Sequence, residues 1–132
     1  MGQVSDMSNA VLVDTDVLIE FLRGQARAVA FMEEFSSRII LSPIVIAELY
    51  AGVKGENELA VLNNFISFFQ TAPLDAEIAR AGGLYKRDYG KSHGVGLADA
   101  LLAASAEKVN AQLKTLNVKH YPMIKGLKPA YE

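Results

Sequence analysis

Short apolar runs recur along this chain, and nearly every one is followed by a stretch with helical spacing. The runs are "AVLVD" (10–14), "RIILS" (38–42), "FQTAPL" (69–74) and "AQLKTLN" (111–117). A continuous apolar run reads as a strand covered on both faces, since a half-exposed strand would alternate apolar with polar residues. Strands separated by helices need crossover connections and therefore lie parallel. The expected fold class is α/β, with a mainly parallel sheet of four to five strands. A fifth strand would come from "YPMI" (121–124). In such sheets, sites form in the crevice beyond the carboxyl ends of the strands.

The helical segments carry recognisable ends. Asp16 is placed to cap a helix that runs through Leu22 and ends at Gly24. "RAVAFMEEF" reads as a second helix. In "SPIVIAELYAGV", Ser42 is an N-cap and Pro43 takes the first helical position. "NELAVLNNFISFF" is amphipathic. A long helix is expected from Asp75 to about Tyr89, then a loop over "GKSHGVG" (90–96), then the strongly apolar helix "LADALLAASAEKV".

The whole chain has 132 residues, 51% of them hydrophobic and 21% charged, with mean hydropathy +0.17. That suits one folded domain, expected over 10–132 after a polar leader at 1–9 in which Met7 is an alternative start. No apolar run is long enough to cross a bilayer, and no secretory signal opens the chain. Without cysteine there are no disulfides, thiolate zinc sites or cysteine nucleophiles, which fits a reducing cytoplasm. The net charge of −2 does not suit a general nucleic-acid binder. Its distribution is uneven. Residues 1–79 hold 4 basic and 11 acidic residues, whereas residues 80–132 hold 9 and 4. An acid-lined site with basic flanks would produce this split, and so would ordinary scatter.

Three carboxylates stand out because their sequence neighbours offer no partner. Asp14 follows "AVLV" directly. Glu48 lies in "IVIAELYAG", with Ile44, Val45, Ala51 and Gly52 at helical spacing. Asp99 lies in "VGLADALLAA", flanked at the same spacing by Val95, Gly96, Leu102 and Ala103. Burying an unpaired carboxylate costs several kcal/mol, roughly, so such groups neutralise, find a partner or hold a metal. A divalent cation satisfies three carboxylates at once, and oxygen-only ligands favour Mg²⁺ or Mn²⁺. Each acid also has an ordinary explanation. Asp14 suits a turn, Asp16 a cap, Glu48 a solvated helix face, and Asp99 a helix N-terminus. Other chemistry is poorly supported. His93 and His120 lack metal-ligand spacing, Ser105 lacks a nucleophile-elbow context, and no glycine-rich phosphate loop follows a strand.

"VLVDTDVLIEFLRG", "SPIVIAELYAGV", "GLADALLAASA" and "TLNVKHYP" together resemble the PIN-domain proteins, in particular VapC-type toxins of toxin–antitoxin pairs. The resemblance spans Val11 to about Ile124. It implies a PIN-like three-layer α/β/α domain and a Mg²⁺- or Mn²⁺-dependent endoribonuclease with Asp14, Glu48 and Asp99 as its catalytic, metal-holding acids. Asp16 falls on a position that is often small, polar or acidic. The family's fourth acid falls on Asn117, which keeps a ligand oxygen but loses the charge, so Asp16 and Asn117 stand as further candidate metal ligands. Thr15, Ser42 and Thr115 are expected to support the pocket, and Arg23, Arg27, Lys54 and Lys91 to steer RNA. The implied partners are an RNA substrate, a cognate antitoxin and a second copy of the chain in a homodimer.

Competing readings use fewer of these residues. A haloacid-dehalogenase-like phosphatase would take Asp14 as nucleophile but needs a later paired-acid motif, where "GLADALL" has one acid. A receiver domain would leave Glu48 and Asp99 unused. A PIN-like module that binds RNA or protein and cleaves weakly is the stronger alternative.

Overall fold

A computed structural model describes residues 9–132 of the chain, so the leader expected at 1–9 and the alternative start at Met7 fall outside the described residues, Asn9 excepted. The elements follow in the order β1 (Val11–Val13), α1 (Thr15–Leu22), α2 (Ala26–Glu34), β2 (Ile39–Leu41), α3 (Pro43–Ala51), α4 (Gly55–Ile66), β3 (Gln70–Thr71), α5 (Ala76–His93), α6 (Leu97–Val109) and β4 (Gln112–Lys114). A 3₁₀ turn covers Val118–His120.

The strands form one parallel sheet in the order β3-β2-β1-β4. Val11 stands opposite Ile39 on one side and Gln112 on the other. Val11, Leu12 and Val13 are all fully buried. Successive strand side chains point to opposite faces, so helices must cover both faces of β1. The chain builds outward from β1 through β2 to β3, then returns to the far side of β1 as β4. The direction of winding therefore reverses between β1 and β4. Asp14 and Thr115, the residues directly after those two strands, stand at this switch point, where open α/β sheets leave a crevice.

Ser42 caps α3 by accepting from the Ile44 N–H at 3.0 Å, with Pro43 as the first helical residue. Asp75 caps α5 through the Ile78 N–H. Three expectations need correction. The cap of α1 is Asp14, not Asp16: the strand passes into the helix with no linker, and the Asp14 carboxylate accepts from the Thr15 N–H at 2.8 Å. The loop expected over 90–96 is half helix. α5 continues to His93 because Gly90 is tolerated inside it, and the stop is Gly94, whose φ of 66° is left-handed. Finally, among the described residues the sheet has four strands, and "YPMI" supplies none. Pro122 has no N–H for a ladder, and the Tyr121 and Ile124 N–H groups bond to Val118 O and Tyr121 O in consecutive turns.

Close packing of α5 on α6 depends on Gly82. A Cβ there would lie 2.6 Å from Leu101 Cδ2 and 3.0 Å from Leu101 Cα. Leu101 is two residues beyond Asp99, so this contact fixes the part of α6 that carries the acid.

Candidate active site

Asp14 is the most enclosed of the acids, 7% exposed. Its Oδ1 accepts from the Thr15 N–H. Its Oδ2 accepts from the Thr115 hydroxyl at 2.8 Å and from the Tyr121 hydroxyl at 2.6 Å. The Asp14 N–H donates in turn to Lys114 O at 2.9 Å, which locks β1 to β4 just below the carboxylate. Asp14 is therefore not unpartnered. Its partners come from 101 and 107 residues away in the chain, beyond what neighbour spacing can reveal.

Asp16 follows two residues later, in the first turn of α1, and is half-buried. Its Oδ1 accepts from the Val17 N–H, and its Oδ2 from the Leu116 N–H at 3.0 Å and the Asn117 side-chain amide at 3.1 Å. Burial, and then the Asp14 charge, raise its carboxyl above the usual aspartate value. Asn117 thus turns its amide N–H, rather than its oxygen, toward Asp16. Its neighbour there is an anion, and an amide meets an anion with its donor.

Asp99 is half-buried at the start of α6. Its Oδ1 lies 3.2 Å from the Tyr121 hydroxyl, and its Oδ2 lies 3.2 Å from His120 Nδ1. Burial first, then the charge of Asp14, raise its carboxyl; the Tyr121 hydrogen bond and His120 oppose them, and Glu48 adds a little to the rise. Glu48 projects from α3 and is exposed, so the expectation that all three acids are buried fails for it. α3 is apolar in sequence but turns the Glu48 face outward, and Thr15 donates its hydroxyl to Glu48 Oε1 at 2.5 Å. Among the described residues no lysine or arginine pairs with any of the four acids.

The PIN domain family model matches residues 11–121. This chain belongs to the PIN-domain family. Ribonuclease VapC19 of Mycobacterium tuberculosis is 40% identical over 124 residues, covering 91% of this chain and 98% of that protein. Ribonuclease VapC10 of the same organism is 38% identical over 124 residues, covering 92% of each. Among solved structures, a toxin–antitoxin complex from Klebsiella pneumoniae has a chain that superposes with a TM-score of 0.80. At 24% identity, covering 93% of this chain and 99% of that one, this likeness speaks for the fold.

In this PIN domain the acid pocket opens beside a groove of about 520 Å³ between α1, α3 and α4. Glu48 lies on its wall together with Arg23, Lys54 and the apolar Ile19, Leu22 and Val61. Two of the four residues expected to steer RNA thus flank an acid, while Arg27 on α2 and Lys91 on α5 are exposed but line neither this groove nor the acid cluster. Ser42 is buried as a helix cap and bonds to α3 rather than to an acid. Sequence reasoning missed Tyr121 and His120. The run "TLNVKHYP" carried both, but a tyrosine beside a histidine has no spacing signal of its own.

The donor chemistry suits a hard divalent cation. Four carboxylates from β1, α1, α3 and α6 contribute only oxygen, and two have raised proton affinity through burial and mutual repulsion. As the side chains stand, no three of them are drawn together around one point among the described residues. Their oxygens are held by Thr115, Tyr121, Thr15 and Asn117 instead.

Proposed function

We propose that this protein is a metal-dependent endoribonuclease and the toxin of a toxin–antitoxin pair. The observation that carries the reading is the linking of three acids at the switch point of the sheet, where Thr115 contacts Asp14 and Asp16 and Tyr121 contacts Asp14 and Asp99, with no lysine or arginine paired to them among the described residues. Glu48 stands at the rim, toward the groove. The ribonuclease names of the M. tuberculosis relatives support RNA as the substrate class.

Asp14, Glu48 and Asp99 would hold Mg²⁺ or Mn²⁺, with Asp16 beside them. The bound cation supplies a Lewis acid that polarises a phosphodiester and lowers the pKa of water. The chain's own part is positioning. Thr115 and Tyr121 aim the Asp14 carboxylate, Thr15 orients Glu48, and Asn117 with the Leu116 N–H fixes Asp16. Asp99, partly exposed at the start of α6, is placed to accept a proton from an attacking water. Arg23 and Lys54 bring positive charge to the groove wall, where a phosphate backbone approaching Glu48 would pass.

The toxin–antitoxin complex among the structural neighbours supports an antitoxin partner, and we propose a homodimer in the cytoplasm as the working form. No helix among the described residues is long and apolar enough to cross a membrane. The test is cleavage of a labelled RNA in Mn²⁺, in Mg²⁺ and in EDTA. Cleavage is expected with either ion and absent in EDTA, and Asp14→Asn, Glu48→Gln and Asp99→Asn should each reduce it by at least about 100-fold. Undiminished cleavage in EDTA rejects the metal. RNA binding without cleavage under every condition favours the weakly cleaving binding module.

A further inference from the structure

We propose that Tyr121 is a positioning residue whose single hydroxyl ties Asp14 on β1 to Asp99 on α6 and sets the spacing of the two acids before any cation arrives. The inference rests on the metal-dependent reading for its consequence, but the tether itself stands on geometry. The Tyr121 hydroxyl is 2.6 Å from Asp14 Oδ2 and 3.2 Å from Asp99 Oδ1. A phenol has one proton, so the two carboxylates share one donor in a three-centre bond with the stronger share on Asp14. No other side chain among the described residues hydrogen-bonds to both Asp14 and Asp99.

The rest of Tyr121 is built to hold that hydroxyl still. The side chain is 1% exposed and belongs to the hydrophobic core. Its backbone is fixed on both sides, its N–H donating to Val118 O and its carbonyl accepting from the Ile124 N–H, each at 3.0 Å. His120, the preceding residue, reaches the other oxygen of Asp99 at 3.2 Å, so Asp99 is held from two directions by adjacent residues. Thr115 contacts Asp14 and lies 3.4 Å from Asp16, but does not reach Asp99. Among the described residues, only Tyr121 bridges the switch point between the acid that follows β1 and the acid on α6.

Outer partners of this kind orient ligating carboxylates, and their loss typically weakens metal affinity by about 10–100-fold. A hydroxyl bonded to both acids also competes with a cation for the same oxygens, so the sign of the change in affinity decides between positioning and competition. The discriminating variant is Tyr121→Phe, which keeps the buried ring and removes one atom. Mn²⁺ binding measured by titration calorimetry should weaken by about tenfold or more in Tyr121→Phe. RNA cleavage by the variant should fall at limiting Mn²⁺ and recover as Mn²⁺ is raised, which a general packing defect would not do. Equal or tighter Mn²⁺ binding in Tyr121→Phe overturns the positioning role.

A second measurement keeps the tether separate from the metal reading. In EDTA, melting temperatures of Tyr121→Phe, Asp99→Ala and the double variant form a cycle. A tether predicts that the two changes are not additive, and additive changes overturn it. If the cycle is coupled while the unmodified protein binds no Mn²⁺, the tether holds and the metal reading falls.

Discussion

Asp99 is where charge, burial and hydrogen bonding oppose one another most directly. Its folded carboxyl is raised by burial and by Asp14, so the native state keeps a proton that the unfolded chain has already lost. As pH climbs past the ordinary value of 3.8, stability contributed by this group therefore declines, and the decline is complete above the raised value. Asp99→Asn removes the charge but keeps an oxygen for Tyr121. In EDTA at pH 7 the variant should melt a few degrees higher than the parent protein, and the difference should shrink toward zero near pH 4, roughly where unfolded aspartate titrates. Thermal melts across that range check it; a variant less stable at pH 7 would make Asp99 a structural anchor. At this scale the sequence was legible in part. Asp14 and Asp99 stood out for lack of neighbours, yet their partners Thr115, Tyr121 and His120 are supplied by chain folding, and no local spacing announces them. Asn117 was visible as a position but not as a donor to Asp16, since which end of an amide faces a carboxylate depends on the pocket around it.

The elements were legible wherever local chemistry decides them. Ser42-Pro43 starts α3 and Asp75 starts α5, because a cap is an interaction between residues two or three apart. Legibility failed where tertiary packing decides. Gly90 reads as a helix stop but lies inside α5, and "YPMI" has a strand's composition but folds as turns under Tyr121. The paired glycines of α5 separate these two regimes. Gly82 faces α6, and an added Cβ would strike the backbone and side chain of Leu101, whereas Gly83 is exposed with nothing within 4 Å of the same atom. Gly83→Ala should therefore stabilise by up to about 1 kcal/mol through helix propensity alone. Gly82→Ala gains the same propensity but must move α6, and overpacking of this kind costs about 1–3 kcal/mol. Denaturant unfolding of both variants should give shifts of opposite sign. Cleavage should fall in Gly82→Ala and hold in Gly83→Ala, because α6 carries Asp99. Two stabilising shifts would mean that α5 and α6 can separate without penalty, and that Gly82 does not fix the acid.

The molecule as a whole assembles its acids from segments far apart in the chain. β1 delivers Asp14, α1 Asp16, α3 Glu48 and α6 Asp99, and the reversal of winding beside β1 is what brings the first and last of these within reach of one tyrosine. Gathering like charges opposes folding, and hydroxyl and amide donors offset only part of that repulsion. A cation that binds the folded pocket and not the unfolded chain should then stabilise the entire domain by mass action, by about 2.7 kcal/mol at a concentration 100 times its dissociation constant. For a domain of this size that corresponds to a rise in melting temperature of roughly 5–10 °C. The measurement is a pair of melts at pH 7, one in millimolar Mn²⁺ and one in EDTA, at matched ionic strength. Protons compete for the same raised carboxyls, so the gain from Mn²⁺ should diminish as pH is lowered toward 4. Asp14→Asn should lose most of the gain at every pH, because it removes the charge of the most enclosed acid. Equal melting temperatures in Mn²⁺ and EDTA would show that the four carboxylates do not act together on a cation, and Thr15, Thr115, Asn117, His120 and Tyr121 would then be their structural partners rather than the supports of a metal site.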